Sequence, residues 1–90
     1  MKTLIAFLLM TTAASAADGV TIAAIHTVDR AMCGLYVPQS TIDAALVQGM
    51  RERHITFDQS TEAALITAQA LLTEVTPYRD KWCDYRTKKD

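Results

Sequence analysis

The apolar residues of this chain recur at helical spacing, beginning with a stretch in its first third. Four of them fall at i, i+3, i+7 and i+10, which places them on one face of a helix: Ile25, Val28, Met32 and Leu35. We predict a first helix from about Val20 to Cys33, started by an Asp18 cap and ended by Gly34. A strand over Val20–Ile25 is the weaker alternative, because the alternation of apolar and polar residues fails at two adjacent alanines.

A second helix is predicted to follow Pro38, where Ser40 and Asp43 have the spacing of a capping box. One side of this helix is mostly apolar and holds the following positions: Ile42, Leu46, Gly49, Met50 and Arg53. Inside a helix Gly49 costs about 1 kcal/mol relative to alanine. We therefore expect another helix to cross closely at Gly49.

A third helix is predicted from a cap at Asp58 or Ser60 to about Val75, after a short connection at residues 55–57. Its apolar stripe has the same spacing as that of the first helix: Leu65, Ala68, Leu72 and Val75. We expect this stripe to face the core.

Pro77 interrupts the helical pattern that follows. A proline inside a helix removes one hydrogen bond and clashes with the carbonyl four residues back. The pair Thr76-Pro77 is typical of an N-cap followed by proline at the first helical position. We predict a break or kink here, then a fourth helix from Pro77 to about Arg86. One stripe crosses the join, so a mild kink is the alternative: Leu71, Val75, Tyr78, Trp82 and Tyr85.

The start of the chain has the order of a secretory signal peptide. Lys2 precedes the apolar run Thr3–Met10, and Ala14-Ser15-Ala16 is an A-x-A cleavage signature. We predict that residues 1–16 are cleaved and that residues 17–90 form a single small domain, secreted or periplasmic. A retained membrane anchor is the weaker alternative, because a spanning helix needs about 20 apolar residues.

Two cysteines, Cys33 and Cys83, lie in the predicted mature chain. In an oxidising compartment such a pair normally forms a disulfide, and only one intramolecular pairing exists. Closing a loop of 50 residues stabilises a chain by roughly 4 kcal/mol in the chain-entropy treatment. The predicted fold is therefore all-α: a small three- to four-helix bundle stapled by this disulfide.

Composition and motifs argue against several classes of function. The formal net charge is −1, which is too small for a nucleic-acid footprint. His26 and His54 lack zinc-finger spacing to the cysteines, and no C-x-x-C occurs. The usual hydrolase, metalloprotease and phosphate-loop motifs are also missing. We predict no catalysis, no metal, no cofactor, no nucleic-acid partner and no stable membrane insertion after cleavage.

Aromatic and basic residues concentrate near the C-terminus and form the candidate partner-binding set: Tyr78, Arg79, Trp82, Tyr85 and Arg86. Aromatic and arginine side chains dominate protein interfaces, and Arg86 has the spacing for a cation–π contact with Trp82. We expect Trp82 to seal the core beside the disulfide. Tyr85, Arg86, Lys88 and Lys89 are expected to be exposed.

These features favour an exported protein that binds another protein or an envelope component without catalysis. The plan of the chain, with Cys33-Gly34-Leu35-Tyr36, resembles the periplasmic acid-stress chaperones, which combine a leader, a short helical chain and one disulfide spanning about fifty residues. That resemblance implies a stress chaperone as the alternative. A further alternative is an inhibitor or effector of an extracellular enzyme, with Gln39 or the connection at residues 55–58 as the exposed loop.

Overall fold

The computed structural model describes residues 17–88, and the predicted leader, residues 1–16, lies outside them, as does Lys89. The described chain forms four α-helices and one 3₁₀ turn: α1 (Gly19–Cys33), α2 (Gln39–Arg53), α3 (Phe57–Val75), the turn Thr76–Tyr78, and α4 (Arg79–Lys88). No strand occurs within residues 17–88, so the all-α prediction is confirmed and the strand alternative in α1 is wrong. No helix in this part of the chain is long and apolar enough to span a membrane.

Both ends of α1 follow the sequence prediction. The Asp18 carboxylate accepts a hydrogen bond from the Thr21 amide at 3.0 Å, which satisfies one of the open amides of the first turn. Gly34 ends the helix in the left-handed conformation, with φ 65°. Glycine adopts this conformation without the steric cost that a Cβ brings.

The start of α2 differs from the prediction. The helix begins at Gln39 directly after Pro38, so Ser40 lies inside the first turn and makes no cap. Asp43 accepts a hydrogen bond from the Gln39 side-chain amide at 3.0 Å instead of completing a capping box. The reason is that Pro38, at φ −59°, already directs the chain into the helix.

The start of α3 also differs, because Thr56 is its cap. Thr56 Oγ1 accepts from the Gln59 amide at 3.1 Å, and the Thr56 amide donates to Gln59 Oε1 at 2.9 Å. This reciprocal capping box replaces the predicted cap at Asp58 or Ser60. Ser60 is fully buried and donates to the Leu46 carbonyl at 2.8 Å, which joins α3 to α2.

Small residues let α1 approach its neighbours closely. A Cβ placed on Gly49 would lie 2.7 Å from Val20 Cγ2, and one placed on Gly19 would overlap the Ala45 carbonyl. The close crossing predicted at Gly49 is therefore confirmed. The first core cluster, where α1, α2 and α3 meet, is built from short side chains and a few larger ones: Val20, Ala23, Ile42, Ala45, Leu46 and Ala64.

The apolar stripe predicted for α3 is partly wrong. Leu65 is 54% exposed and Leu72 is 36% exposed. The buried face of α3 consists of Ser60, Ala64 and Ala68, spaced at i, i+4 and i+8. Alanine and serine fit the narrow gap between α3 and α1. The larger Leu65 and Leu72 therefore lie at the edge of this contact, where they are partly exposed.

The α-helical pattern breaks after Val75 into a 3₁₀ turn that holds Pro77, as the proline predicts. Thr76 is the C-cap of α3, and its hydroxyl donates to the Leu72 carbonyl at 2.5 Å. The predicted N-cap role of Thr76 is therefore wrong, and α4 begins at Arg79, two residues later than expected. The turn directs α4 back against the C-terminal half of α1.

Candidate binding surface

The disulfide predicted from the sequence is present and fixes α4 to α1. Cys33 and Cys83 are bonded, with their Cα atoms 5.4 Å apart. Cys33 is the last residue of α1, so the bond holds the end of that helix and the start of the loop that follows it. The two helices run antiparallel, since Arg86 of α4 contacts Asp29 of α1 one turn away from the disulfide on each helix.

Arg86 and Asp29 form a partly buried ion pair. Arg86 Nε lies 3.0 Å from each carboxylate oxygen of Asp29, and Nη2 lies 2.9 Å from Oδ2. The side chain of Asp29 is 4% exposed and that of Arg86 is 19% exposed. The prediction that Arg86 is exposed is therefore wrong, because a buried carboxylate requires a charged partner.

Trp82 lies between this ion pair and the core. It packs against the second core cluster, which comprises Ala24, Val28, Met32 and Ala68. Its ring centroid lies 6.0 Å from the Arg86 guanidinium carbon, within cation–π range. The prediction that Trp82 seals the core is confirmed. Its indole Nε1 is buried and makes no hydrogen bond within residues 17–88.

The other members of the predicted contact set lie on the outside of the 3₁₀ turn and α4. Tyr78 is 64% exposed and Tyr85 is 61% exposed, so the stripe predicted to continue from α3 is not buried at these positions. Arg79 is exposed and borders a hollow of about 420 Å³ formed by residues 76–81. Trp82 and Arg86 are thus occupied by contacts with the core and with Asp29, whereas the other three candidates are exposed. The five residues therefore do not form one exposed surface.

The loop between α1 and α2 presents a more exposed aromatic residue. Tyr36 is 88% exposed, although it follows the disulfide by only three residues. Arg30 fixes the C-terminal side of the loop by two hydrogen bonds. Its Nη2 donates to the Val37 carbonyl at 2.6 Å, and its Nη1 donates to Gln39 Oε1 at 3.2 Å. The Leu35 amide donates to the Asp29 carbonyl at 3.3 Å. The loop is therefore fixed on both sides of Tyr36.

A cleft of about 310 Å³ opens beside Tyr36. Leu35, Val37 and Pro38 form an apolar side, and His26, Asp29 and Arg86 form a polar side. The Asp29 carboxylate on the polar side is bound to Arg86 at 2.9 Å. No group of three or more His, Cys, Asp or Glu residues between 17 and 88 is arranged to hold a metal ion.

Sequence analysis did not select Tyr36, although its surroundings contain a usable pattern. An aromatic residue lies midway between a helix-ending glycine and a helix-starting proline, three residues after a half-cystine. Such a residue lies outside the helices, so it cannot belong to the apolar face of α1 or of α2.

Comparisons with protein-family models, with curated proteins and with solved structures find no significant match to this chain. The assignment of a function therefore depends on the site itself.

Proposed function

We propose that this chain is an exported protein that acts by non-catalytic binding to a partner protein, and that the loop of residues 34–38 is its contact. The observation that carries the proposal is the 88% exposure of Tyr36 on a loop held at both ends. Tyrosine is enriched among interface hot spots, because its ring buries a large apolar area while its hydroxyl can keep a hydrogen-bond partner.

The rigidity of the loop supports binding for an energetic reason. Ordering a flexible contact segment costs about 0.5–1.5 kcal/mol for each immobilised side chain. Here the disulfide at Cys33 and the two hydrogen bonds of Arg30 have already ordered the backbone. Less free energy is then lost when Tyr36 enters a partner surface.

The cleft beside Tyr36 gives the partner a place to contribute a side chain of its own. An apolar side chain against Leu35, Val37 and Pro38 would be removed from water, and its polar end would reach His26 or the edge of Arg86. Reciprocal insertion of this kind is common at interface centres. Export agrees with the predicted leader and is compatible with the disulfide.

Site-specific photocrosslinking tests this proposal. A photoreactive phenylalanine analogue placed at Tyr36 is expected to give a protein adduct in intact cells of the native host, and mass spectrometry identifies it. The matched control places the same analogue at Tyr78, which is 64% exposed in the 3₁₀ turn before α4. A polysaccharide or lipid adduct at position 36 would redirect the proposal to an envelope component, and no adduct there would reject this loop.

Once the partner is identified, its affinity for the Tyr36→Ala variant gives the second measurement. We expect the dissociation constant to rise at least tenfold, which corresponds to about 1.4 kcal/mol. The melting temperature is expected to stay unchanged, because the Tyr36 side chain contributes little to the core. An unchanged dissociation constant would contradict the proposal.

The same loop favours a second candidate, an inhibitor or effector of an extracellular enzyme. A rigid projecting loop is the shape that enters an enzyme cleft, and the crosslinked partner would then be an enzyme whose activity falls on binding. The acid-stress chaperone suggested by the resemblance remains an alternative proposal. Aggregation of a client protein at pH 3, with and without this chain, tests it directly.

A further inference from the structure

An open groove lies between α1 and α3 and consists of three connected hollows. The first two, of about 220 Å³ and 120 Å³, share Thr27 and Leu65. The third, of about 270 Å³, shares Ala31 and Leu72 with the second. Asp29, which borders the Tyr36 cleft, lies about 160° around α1 from Ala31. The groove and the cleft are therefore separate surfaces.

The middle of the groove is apolar and accessible. Val28 and Ala68 border it and are buried, whereas Leu65 and Leu72 border it and are 54% and 36% exposed. Contiguous exposed apolar residues on a small domain mark interaction sites more often than isolated ones do. The groove follows α3 over residues 61–76, which corresponds to about 22 Å of helix. An amphipathic helix of about four turns matches this length and can bury its apolar face in such a groove.

The charged residues that border the groove are two arginines, one in each outer hollow. Arg30 borders the first hollow and Arg79 borders the third, whereas no aspartate or glutamate of residues 17–88 borders any of the three. Arg30 donates hydrogen bonds to two uncharged oxygens, the Val37 carbonyl and Gln39 Oε1. Arg79 is exposed, and its side chain forms no ion pair within the described chain. Both guanidinium groups therefore lack a carboxylate partner in this part of the protein.

We propose that this groove binds a helical segment of a partner protein that carries an apolar stripe between two acidic ends. The stripe covers Leu65 and Leu72, and a carboxylate near each end pairs with Arg30 or Arg79. Complementary charges across an interface select the partner and fix its register. This contact goes beyond the proposed role of the Tyr36 loop, because it uses a different side of α1.

The placement of the arginines in the two outer hollows favours a protein segment over other occupants. A lipid molecule carries its anionic group at one end of its acyl chain, so it would leave one arginine without a carboxylate or phosphate. The predicted leader, residues 1–16, is apolar but contains Lys2 and no acidic residue, so its charges do not match the groove. A peptide can place a carboxylate at each end of an apolar stripe.

Selection of phage-displayed helical peptides on the oxidised protein tests the proposal. The library has a leucine stripe at i, i+3, i+7 and i+10 within about 15 residues, and the residues at both ends of the stripe are random. We expect the selected peptides to be enriched in aspartate and glutamate at both ends. Enrichment at one end or at neither, or failure to select any peptide, would overturn the proposal.

Fluorescence anisotropy of a selected peptide then locates its binding site. Leu65→Asn is expected to raise the dissociation constant at least tenfold. Ile66→Asn is the matched control and is expected to leave it unchanged, because Ile66 is 63% exposed but borders none of the three hollows. Both variants are expected to fold, since both side chains are more than half exposed. Equal dissociation constants for the two variants would contradict binding in the groove.

Exchange of charge between protein and peptide tests the acidic ends. Arg79→Glu is expected to weaken binding about fivefold, as for a partly exposed ion pair, and lysine at the matching end of the peptide is expected to restore it. Arg51→Glu is the control for overall charge, because Arg51 is exposed on α2 and borders none of the three hollows. An equal loss of affinity in Arg51→Glu, or displacement of the peptide by anionic phosphatidylglycerol vesicles, would overturn the proposal.

Discussion

Asp29 and Arg86 are 57 residues apart in the chain and are joined by a two-pronged ion pair with nitrogen–oxygen distances of 2.9–3.0 Å. Together with the disulfide one turn away, this pair fixes both the position and the rotation of α4 on α1. The cleft beside Tyr36 includes both charged residues, so the packing of α4 also shapes the candidate binding surface.

Removing one member of this pair is expected to be costly. Arg86→Ala leaves the Asp29 carboxylate buried without its partner, which typically destabilises a fold by about 3–5 kcal/mol. Lys81→Ala, on the same helix, is the matched control and is expected to cost less than about 0.5 kcal/mol because Lys81 is exposed. Urea denaturation of both variants measures the difference. Equal free energies of unfolding would show that the ion pair contributes nothing.

Opening the disulfide is expected to unfold much of the population. A 50-residue loop corresponds to roughly 4 kcal/mol in the chain-entropy treatment, and a core of this size seldom supplies more than about 3–5 kcal/mol. Circular dichroism of the Cys33→Ser/Cys83→Ser variant at 37 °C measures the loss of helix. A variant that keeps a cooperative transition near that of the oxidised protein would contradict this expectation.

Two glycines are expected to respond to alanine for different reasons. Gly49→Ala places a methyl group 2.7 Å from Val20 Cγ2, and overpacking of this kind costs about 1–3 kcal/mol despite the better helix propensity of alanine. Gly34→Ala meets no atom within 4 Å but must adopt φ 65°, which costs about 1–2 kcal/mol. Gly34→Asn should be less destabilising than Gly34→Ala, because asparagine tolerates a left-handed φ. Gly49→Asn should be no less destabilising than Gly49→Ala, because its side chain meets the same overpacking. Thermal unfolding of the four variants checks this pattern.

Asp18 is expected to make stability depend on pH at the acid end. The hydrogen bond from Arg53, at 2.7 Å, holds the pKa of the Asp18 carboxyl below its usual value, and desolvation opposes this only partly. Because the pKa is lower in the folded chain, the stabilisation is complete above the unfolded value of about 3.9 and is lost as the pH falls through the folded value. Arg53 is 41% exposed, so the loss is at most about 1 kcal/mol.

Denaturation of the Asp18→Asn variant between pH 2 and pH 6 measures this effect. Asparagine keeps the helix cap and removes the charge, so the free energy of unfolding should fall less on acidification than it does in the parent chain. The difference should shrink at high salt, because exposed charges are screened. Identical pH profiles would show that the pair with Arg53 has no thermodynamic effect.

The sequence alone predicted the helix boundaries that depend only on residues close together in the chain. Asp18, Gly34 and Pro77 mark boundaries because capping, a left-handed φ and a missing amide act within one turn of the chain. The disulfide was also predictable, because two cysteines allow one intramolecular pairing. The predicted cap of α2 at Ser40 was wrong because Pro38 directs the chain into the helix one residue earlier. The Thr56 cap of α3 was missed because Thr56 lies before the apolar pattern begins.

Tertiary structure alone decided which apolar and charged residues are buried. Leu65 and Leu72 have the spacing of a core stripe, yet the close approach of α1 admits only Ser60, Ala64 and Ala68. Arg86 belongs to a basic segment that resembles a solvated end, yet it is half-buried because α4 folds back onto Asp29. Periodicity determines which residues share a face of a helix, but only the distance and rotation between packed helices determine which face is removed from water.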